Sequence, residues 1–355
     1  MSIYAPYGIS IGKISPAAGV ILVFPMKLLT AALLLAASAW AGACTDTAKC
    51  FEWVALGGGP WRSKIYTTYP LTTPNPAITR AFVMVHGANR DADNYFRTAL
   101  AAAFLGAALD NTIVIAPHIA SGSGGCQDKL EDREVSYSCV GDSWRSGGAS
   151  TNAAPVTSFD FVDEILRKLA DRRVFPNLRA IVVAGHSAGG QFVDRYAMAN
   201  RVHDSVGVPV TYIVSNPSSY AYLDASRPRL GREGFRTFTD ARNCTTFNQW
   251  PYGLENRAGG YTAQETDLQL KHQLAARPVT YLLGEIDILP LGGFDSSCPA
   301  MAQGPTRLAR GQSFGQYVNE KFGAHHKIVT VPLCGHNARC MFTSDPALEI
   351  VFPQP

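Results

Sequence analysis

The sequence has almost no surplus of charge. Its 31 Lys and Arg stand against 28 Asp and Glu over 355 residues, a formal +3, so it has no electrostatic means of gathering nucleic acid. Cys-x-x-Cys pairs and His-rich clusters at ligand spacing are absent, which removes the sequence case for a bound metal. The glycine triplet in Gly57-Gly58-Gly59-Pro60 is followed by neither Lys-Ser/Thr nor a helix, so it reads as a turn and not a phosphate loop. No apolar run is long enough for a stable membrane span, since the charge-free stretch from Leu28 to Ala43 falls short of the ~20 residues needed. A disordered composition is missing too: 46% hydrophobic and 17% charged residues are ordinary for a globular chain long enough for one large α/β domain with an insert.

What is there begins with Met26-Lys27, an uncharged run from Leu28 to Leu35, and small residues up to Ala39-Trp40-Ala41 and Ala41-Gly42-Ala43. That is the order of a secretory signal, with Met26 as the start. Residues 1–43 are therefore expected to be an upstream extension and signal peptide, and residues 44–355 a single domain, secreted or periplasmic. A membrane anchor and a lipid-modified Cys44 are the competing readings. Removing 1–43 takes away Lys13 and Lys27 and leaves a net +1. All 8 cysteines lie at or after Cys44, an even number in an oxidising compartment, so disulfides are expected. Chain proximity favours Cys44 with Cys50, Cys126 with Cys139 and Cys334 with Cys340, which leaves Cys244 and Cys298.

Along the chain, strands are expected at Phe51 to Leu56, Ile65 to Tyr69, Ala81 to Val85, Thr112 to Ala116, Ile181 to Val183, Val208 to Val214, Pro278 to Leu283 and Lys327 to Val331. Helical patterns lie between them. One covers Tyr95 to Leu109, another is capped by Ser158, a third follows Gly190, and one marked by Phe314, Tyr317, Val318 and Phe322 stops at Gly323. Strand and helix by turns argue for right-handed crossovers and a mainly parallel sheet flanked by helices. Residues 121–151 read as a long loop pinned by a disulfide. Residues 216–277 show no parallel-strand signal; with a capping box at Thr262 to Glu265 they read as a cap-like insertion over the site.

The chain is organised around Gly185-His186-Ser187-Ala188-Gly189, set between a β-branched run and a helix. A serine on such a tight turn sits on strained backbone, and glycines two before and two after are needed where a Cβ would collide with neighbouring chain. Gly8-Ile9-Ser10-Ile11-Gly12 matches the same letters without strand or helix around it, so only Ser187 has the context of a nucleophile. Nucleophilic serine needs a base and a carboxylate to orient it. Past the ends of later strands the chain offers Asp287, with Glu285 as rival, and His336. His325 and His326 lie at the wrong end of their strand and are expected to be solvated. The backbone N–H groups of Ala188 and Ala88, with Asn89 as the next choice, are the expected oxyanion donors. Trp144, Tyr220 and Trp250 are the candidates for lining an apolar or aromatic-accommodating pocket.

At this point the sequence resembles the α/β-hydrolase superfamily, and more narrowly its secreted bacterial and fungal serine hydrolases. The resemblance rests on Val85-His86-Gly87, Gly185 to Gly190, Asn216-Pro217-Ser218-Ser219-Tyr220, Gly284-Glu285-Ile286-Asp287, the segment from Cys298 to Gly311, and Gly335-His336. It implies the α/β-hydrolase fold, a triad that needs no cofactor, and hydrolysis of a small or polymeric carboxylic ester. A peptidase or amidase with the same triad, a perhydrolase side activity and a non-catalytic binding module are the alternatives.

Overall fold

The computed structural model describes residues 42–229 and 231–353. The expected upstream extension, and all but the last two residues of the expected leader, lie outside them. Strands form where apolar and β-branched residues run together: β1 (Phe51–Leu56), β2 (Trp61–Thr67), β3 (Arg80–Val85), β4 (Thr112–Pro117), β5 (Ala180–His186) and β6 (Val210–Ser215). After the small hairpin of β7 (Ser226–Pro228) and β8 (Phe235–Thr237) come β9 (Val279–Gly284) and β10 (Lys327–Val331). Eight of these build one sheet in the order β1-β2-β4-β3-β5-β6-β9-β10. The pairs β1–β2 and β2–β4 are antiparallel and the rest of the sheet is parallel.

Eight α-helices are described: α1 (Ala92–Leu105), α2 (Ser158–Leu169), α3 (Ala188–Ala199), α4 (Asp267–Ala276), α5 (Cys298–Met301), α6 (Arg307–Phe322), α7 (Ala338–Phe342) and α8 (Asp345–Val351). The alternation of a pleated strand sorts its side chains to two faces. In β3, Ala81, Val83 and Val85 join the core shared with α2, α3, α4 and α6, while Phe82 and Met84 join the core under α1, α7 and α8. Both faces of the sheet are thus covered, which is why the central strands read as continuous apolar runs.

Several boundaries differ from expectation for local reasons. Ser158 is the first residue of α2, not its cap. Thr157 caps it, its hydroxyl accepting from the Asp160 N–H while the Asp160 carboxylate accepts from the Thr157 N–H. Residues Tyr261–Gln264 make only a 3-10 turn, and the capping box belongs to Thr266 and Gln269 at the start of α4. The glycine triplet is the β1–β2 turn, with Gly57 and Gly58 both at φ +65°. All four disulfides are formed: Cys44–Cys50, Cys126–Cys139, Cys244–Cys298 and Cys334–Cys340. Among the described residues no helix is long and apolar enough to cross a membrane.

Candidate active site

Ser187 sits between β5 and α3 at φ 60°, ψ −119°, a conformation that costs an L-residue energy. The surroundings impose it. A Cβ on Gly185 would stand 2.2 Å from the Gly189 carbonyl oxygen, one on Gly189 would stand 2.3 Å from that of Val85, and one on Gly190 would stand 2.5 Å from that of Ser215. Strand and helix can therefore meet this closely only with hydrogen at those positions. The Ser187 N–H donates to the Ser215 carbonyl at 2.9 Å, stitching the turn to the end of β6.

Three elements then converge. His336 follows β10 and its Nε2 lies 2.9 Å from the Ser187 hydroxyl; its Nδ1 lies 2.8 Å from Oδ2 of Asp287, three residues past β9. Asp287 is buried, whereas the rival Glu285 is exposed and accepts the Leu333 N–H at 2.9 Å. The loops carrying Asp287 and His336 are tied together by the Ile286 N–H donating to the Cys334 carbonyl. Asn216, at the end of β6, holds both loops: its Oδ1 accepts the Gly284 N–H at 2.8 Å and its amide donates to the Gly335 carbonyl at 3.2 Å.

Around this relay the imidazoles are kept neutral. His86 is fully buried; its Nδ1 donates to the Gly87 carbonyl and its Nε2 accepts the Ile119 N–H, and desolvation lowers its pKa to about 3. His186 is buried beside His336, with ring centroids 4.6 Å apart, and burial followed by the neighbouring His336 and Arg307 drives its pKa well below the ordinary value. Tyr95, whose hydroxyl burial keeps protonated, lies 3.3 Å from His186 Nδ1. That hydroxyl also sits 2.6 Å from where a Gly87 Cβ would be, so a larger residue before Ala88 would have to displace the Tyr95 ring.

A cavity of about 600 Å3 opens over Ser187 and His336. Its wall includes Ala88, Asn89, Asp91, Asn94, Tyr95, Asn337 and Arg339. Its wall is polar and apolar in about equal measure, and none of Trp144, Tyr220 and Trp250 is among its lining residues. Trp144 is fully buried against His86 and Phe192, with centroids 5.1 and 6.2 Å away, and Tyr220 is fully buried on Phe314 at 4.7 Å. Trp250 is half-buried and donates its indole N–H to the Ser146 carbonyl at 3.1 Å. Large aromatic surfaces gain most from the core, and here the core takes them. Among the described residues of the expected cap, 216–277, none lines this cavity. His325 is exposed as expected, but His326 is buried, bonded to the Tyr281 hydroxyl and the Leu274 carbonyl.

A model of the alpha/beta hydrolase family matches residues 82–351. The chain belongs to this family. Among solved structures, this hydrolase-family chain is similar to poly(aspartic acid) hydrolase-1 from Sphingomonas sp. KT-1, at 21% identity and a TM-score of 0.57, covering 85% of this chain and 98% of that one. It is also similar to LpqC, a poly(3-hydroxybutyrate) depolymerase from Bordetella parapertussis, at 21% identity and a TM-score of 0.56, covering 82% and 87%. At these identities the likeness is one of fold. Among curated proteins no sequence matches this chain.

Sequence reasoning missed the role of Arg307. Its guanidinium is buried, with Nη1 3.4 Å from Oδ1 of Asp287, Nε donating to the Ser218 hydroxyl, and Nη2 donating to the carbonyls of Leu291 and Gly292. The only signal was its place in a segment already singled out by resemblance, because nothing in the spacing says that an arginine of α6 meets the end of β9.

Proposed function

We propose that this protein is an exported serine hydrolase that cleaves carboxylic esters through Ser187, His336 and Asp287. The observation that supports it is the unbroken hydrogen-bond relay from the Ser187 hydroxyl through both His336 nitrogens to the Asp287 carboxylate. His336 Nε2 takes the hydroxyl proton as the serine oxygen attacks the ester carbonyl carbon. The oxyanion is held by the N–H groups of Ala188, at the start of α3, and Ala88, on the cavity wall; each such donor is worth ~3 kcal/mol of barrier. His336 then gives the proton to the departing alkoxide, which leaves an acyl-Ser187. Water, deprotonated by His336, adds to the acyl carbon, and the collapsing intermediate returns the proton to Ser187 and releases the acid. Asp287 fixes the tautomer with a proton on Nδ1 and stabilises the imidazolium. Export is supported by the leader sequence and the four disulfides.

An amide substrate is the second reading, since one structural neighbour is named for poly(aspartic acid) and the other for poly(3-hydroxybutyrate). The first test is intact-mass analysis after treatment with a fluorophosphonate probe. A single adduct that is lost in Ser187→Ala supports an activated serine at 187, and no adduct on folded protein overturns it. Matched ester and amide substrates assayed side by side then separate the two chemistries.

A further inference from the structure

We propose that a second cavity, beside the β7–β8 hairpin, is a binding site for a phosphate-type dianion. It has a volume of about 510 Å3, and its wall carries Arg227, Arg229, Arg232 and Arg236 against a single acid, Asp240. It shares no lining residue with the cavity over Ser187. Binding here is therefore independent of whether Ser187 is a nucleophile.

The sequence loads one short hairpin with like charge. From Ser226 to Arg242 five arginines stand against Glu233 and Asp240, although the whole chain carries a formal charge of only +3. Antiparallel pairing sets Arg227 directly opposite Arg236 in a two-stranded sheet. Directly opposite residues project from the same face, and like charges so placed repel. Arg229, Arg232 and Arg236 are exposed, and among the described residues none of them has an acidic partner. Asp240 is engaged, its Oδ1 accepting the Asn243 side-chain amide at 2.7 Å.

The buried member of the set points to a ligand. Arg227 is 1% exposed, and its guanidinium is held between two rings, 4.3 Å from the Tyr222 centroid and 5.1 Å from that of Phe247. Its Nη groups donate to four carbonyls, those of Asp224, Ser226, Phe247 and Tyr252. Its Nε–H has no partner among the described residues. Asp224 forms no ion pair with it, because Oδ1 of that carboxylate takes the Ser226 N–H and the Tyr317 hydroxyl. A guanidinium removed from water without a counter-ion is unfavourable, and its burial lowers the pKa to about 10. An anion in the cavity would supply the missing charge.

The number of arginines selects the class of anion. A single carboxylate is satisfied by one guanidinium fork and would leave the other arginines without a partner. A phosphate group brings up to two negative charges and three acceptor oxygens, so it can take several forks at once. The opposite wall is anchored. Ala302 follows α5, and the Cys244–Cys298 bridge joins α5 to the segment after the hairpin.

The experiment titrates the full chain with inorganic phosphate by isothermal calorimetry at fixed ionic strength, beside acetate as a carboxylate control. Arg232→Gln, Arg236→Gln and the double variant are titrated in the same way. Both side chains are exposed and stand outside the catalytic cavity, so folding and ester turnover should match the parent. The expected result is saturable phosphate binding at least roughly tenfold tighter than acetate, weakened roughly tenfold by each substitution. In spectra of 15N-arginine protein the Arg227 Nε–H resonance should move with phosphate and stay in place with acetate. Phosphatidylcholine vesicles containing phosphatidic acid distinguish a lipid headgroup from free phosphate as the source. Vesicle binding that the double variant abolishes supports the site and adds the headgroup to its ligands. Phosphate held no tighter than acetate, or held equally by parent and double variant, overturns the proposal. So does an Arg227 Nε–H unmoved at saturating phosphate, and so does vesicle binding that survives the double variant while free phosphate fails to bind.

Discussion

The buried guanidinium of Arg307 stands 3.4 Å from the one oxygen of Asp287 that His336 does not use. The carboxylate is thereby engaged on both sides, by the imidazole through Oδ2 and by the arginine through Oδ1. The same guanidinium also holds the carbonyls of Leu291 and Gly292. One side chain from α6 therefore holds both Asp287 and the loop that passes His336.

Replacing Arg307 with Met should leave a buried carboxylate without its cationic partner. Breaking a buried pair from one side costs ~3–5 kcal/mol. Arg307→Met is expected to unfold at clearly lower denaturant and to lose kcat/KM with it. Arg307→Lys should recover part of the stability through charge, but not the contacts to Ser218 and Leu291, because an ammonium lacks the planar fork. Chemical denaturation of the three proteins, read beside ester turnover, checks this; a fully stable Arg307→Met would refute it.

Gly189→Ala tests the elbow. The new Cβ would meet the Val85 carbonyl oxygen at 2.3 Å and that of His86 at 2.6 Å, both backbone atoms that cannot rotate away. A cost of roughly 3 kcal/mol or more is expected, with loss of fluorophosphonate labelling. Thermal unfolding and intact mass on the purified variant measure both, and retention of either at parental level contradicts the geometry.

The pH dependence of stability carries the signature of His86. Its pKa is lowered in the fold to about 3 from 6.5, mainly by desolvation. Between these values the unfolded chain binds a proton that the folded one refuses, so stability is full above pH 6.5 and falls as pH drops toward about 3. Asp163 and Asp194, raised by burial to about 6 and about 7, act in the opposite direction. The readout is therefore the difference between parent and His86→Asn. The parent's advantage should shrink by up to ~1.4 kcal/mol per pH unit below 6.5. A difference constant from pH 7.5 to 4.5 would exclude a neutral buried imidazole.

The Cys334–Cys340 bridge closes the loop that carries His336. For so short a loop the cross-link is worth about 2 kcal/mol, and the double Cys→Ala variant should lose that much. Loosening the base should also lower kcat more than it raises KM. Steady-state kinetics on the double variant decide it, and unchanged kcat would mean that the hydrogen bonds of Asn216, Ile286 and Glu285 hold the loop without the bridge.

The sequence by itself determined the local objects. Continuous apolar runs announced strands covered on both faces; they placed β1 and β10 to the residue, while β2 began four residues earlier than expected. Gly-x-Ser-x-Gly between a strand and a helix announced the strained turn, since only that context forces hydrogen at Gly185 and Gly189. Short separations named three cysteine pairs and left the fourth by elimination. Tertiary structure decided whatever depends on meetings between distant elements. The meeting of Asp287, not Glu285, with His336, Arg307 beside Asp287, Asn216 between the two loops and Tyr95 against Gly87 follow from how β6, β9, β10, α1 and α6 lie on one sheet, and no periodicity encodes that. It also placed the expected pocket aromatics away from the cavity over Ser187. An aromatic residue in a loop reads the same whether it faces substrate or core, but Trp144 and Tyr220 have large apolar surfaces to hide, and both are packed in the interior.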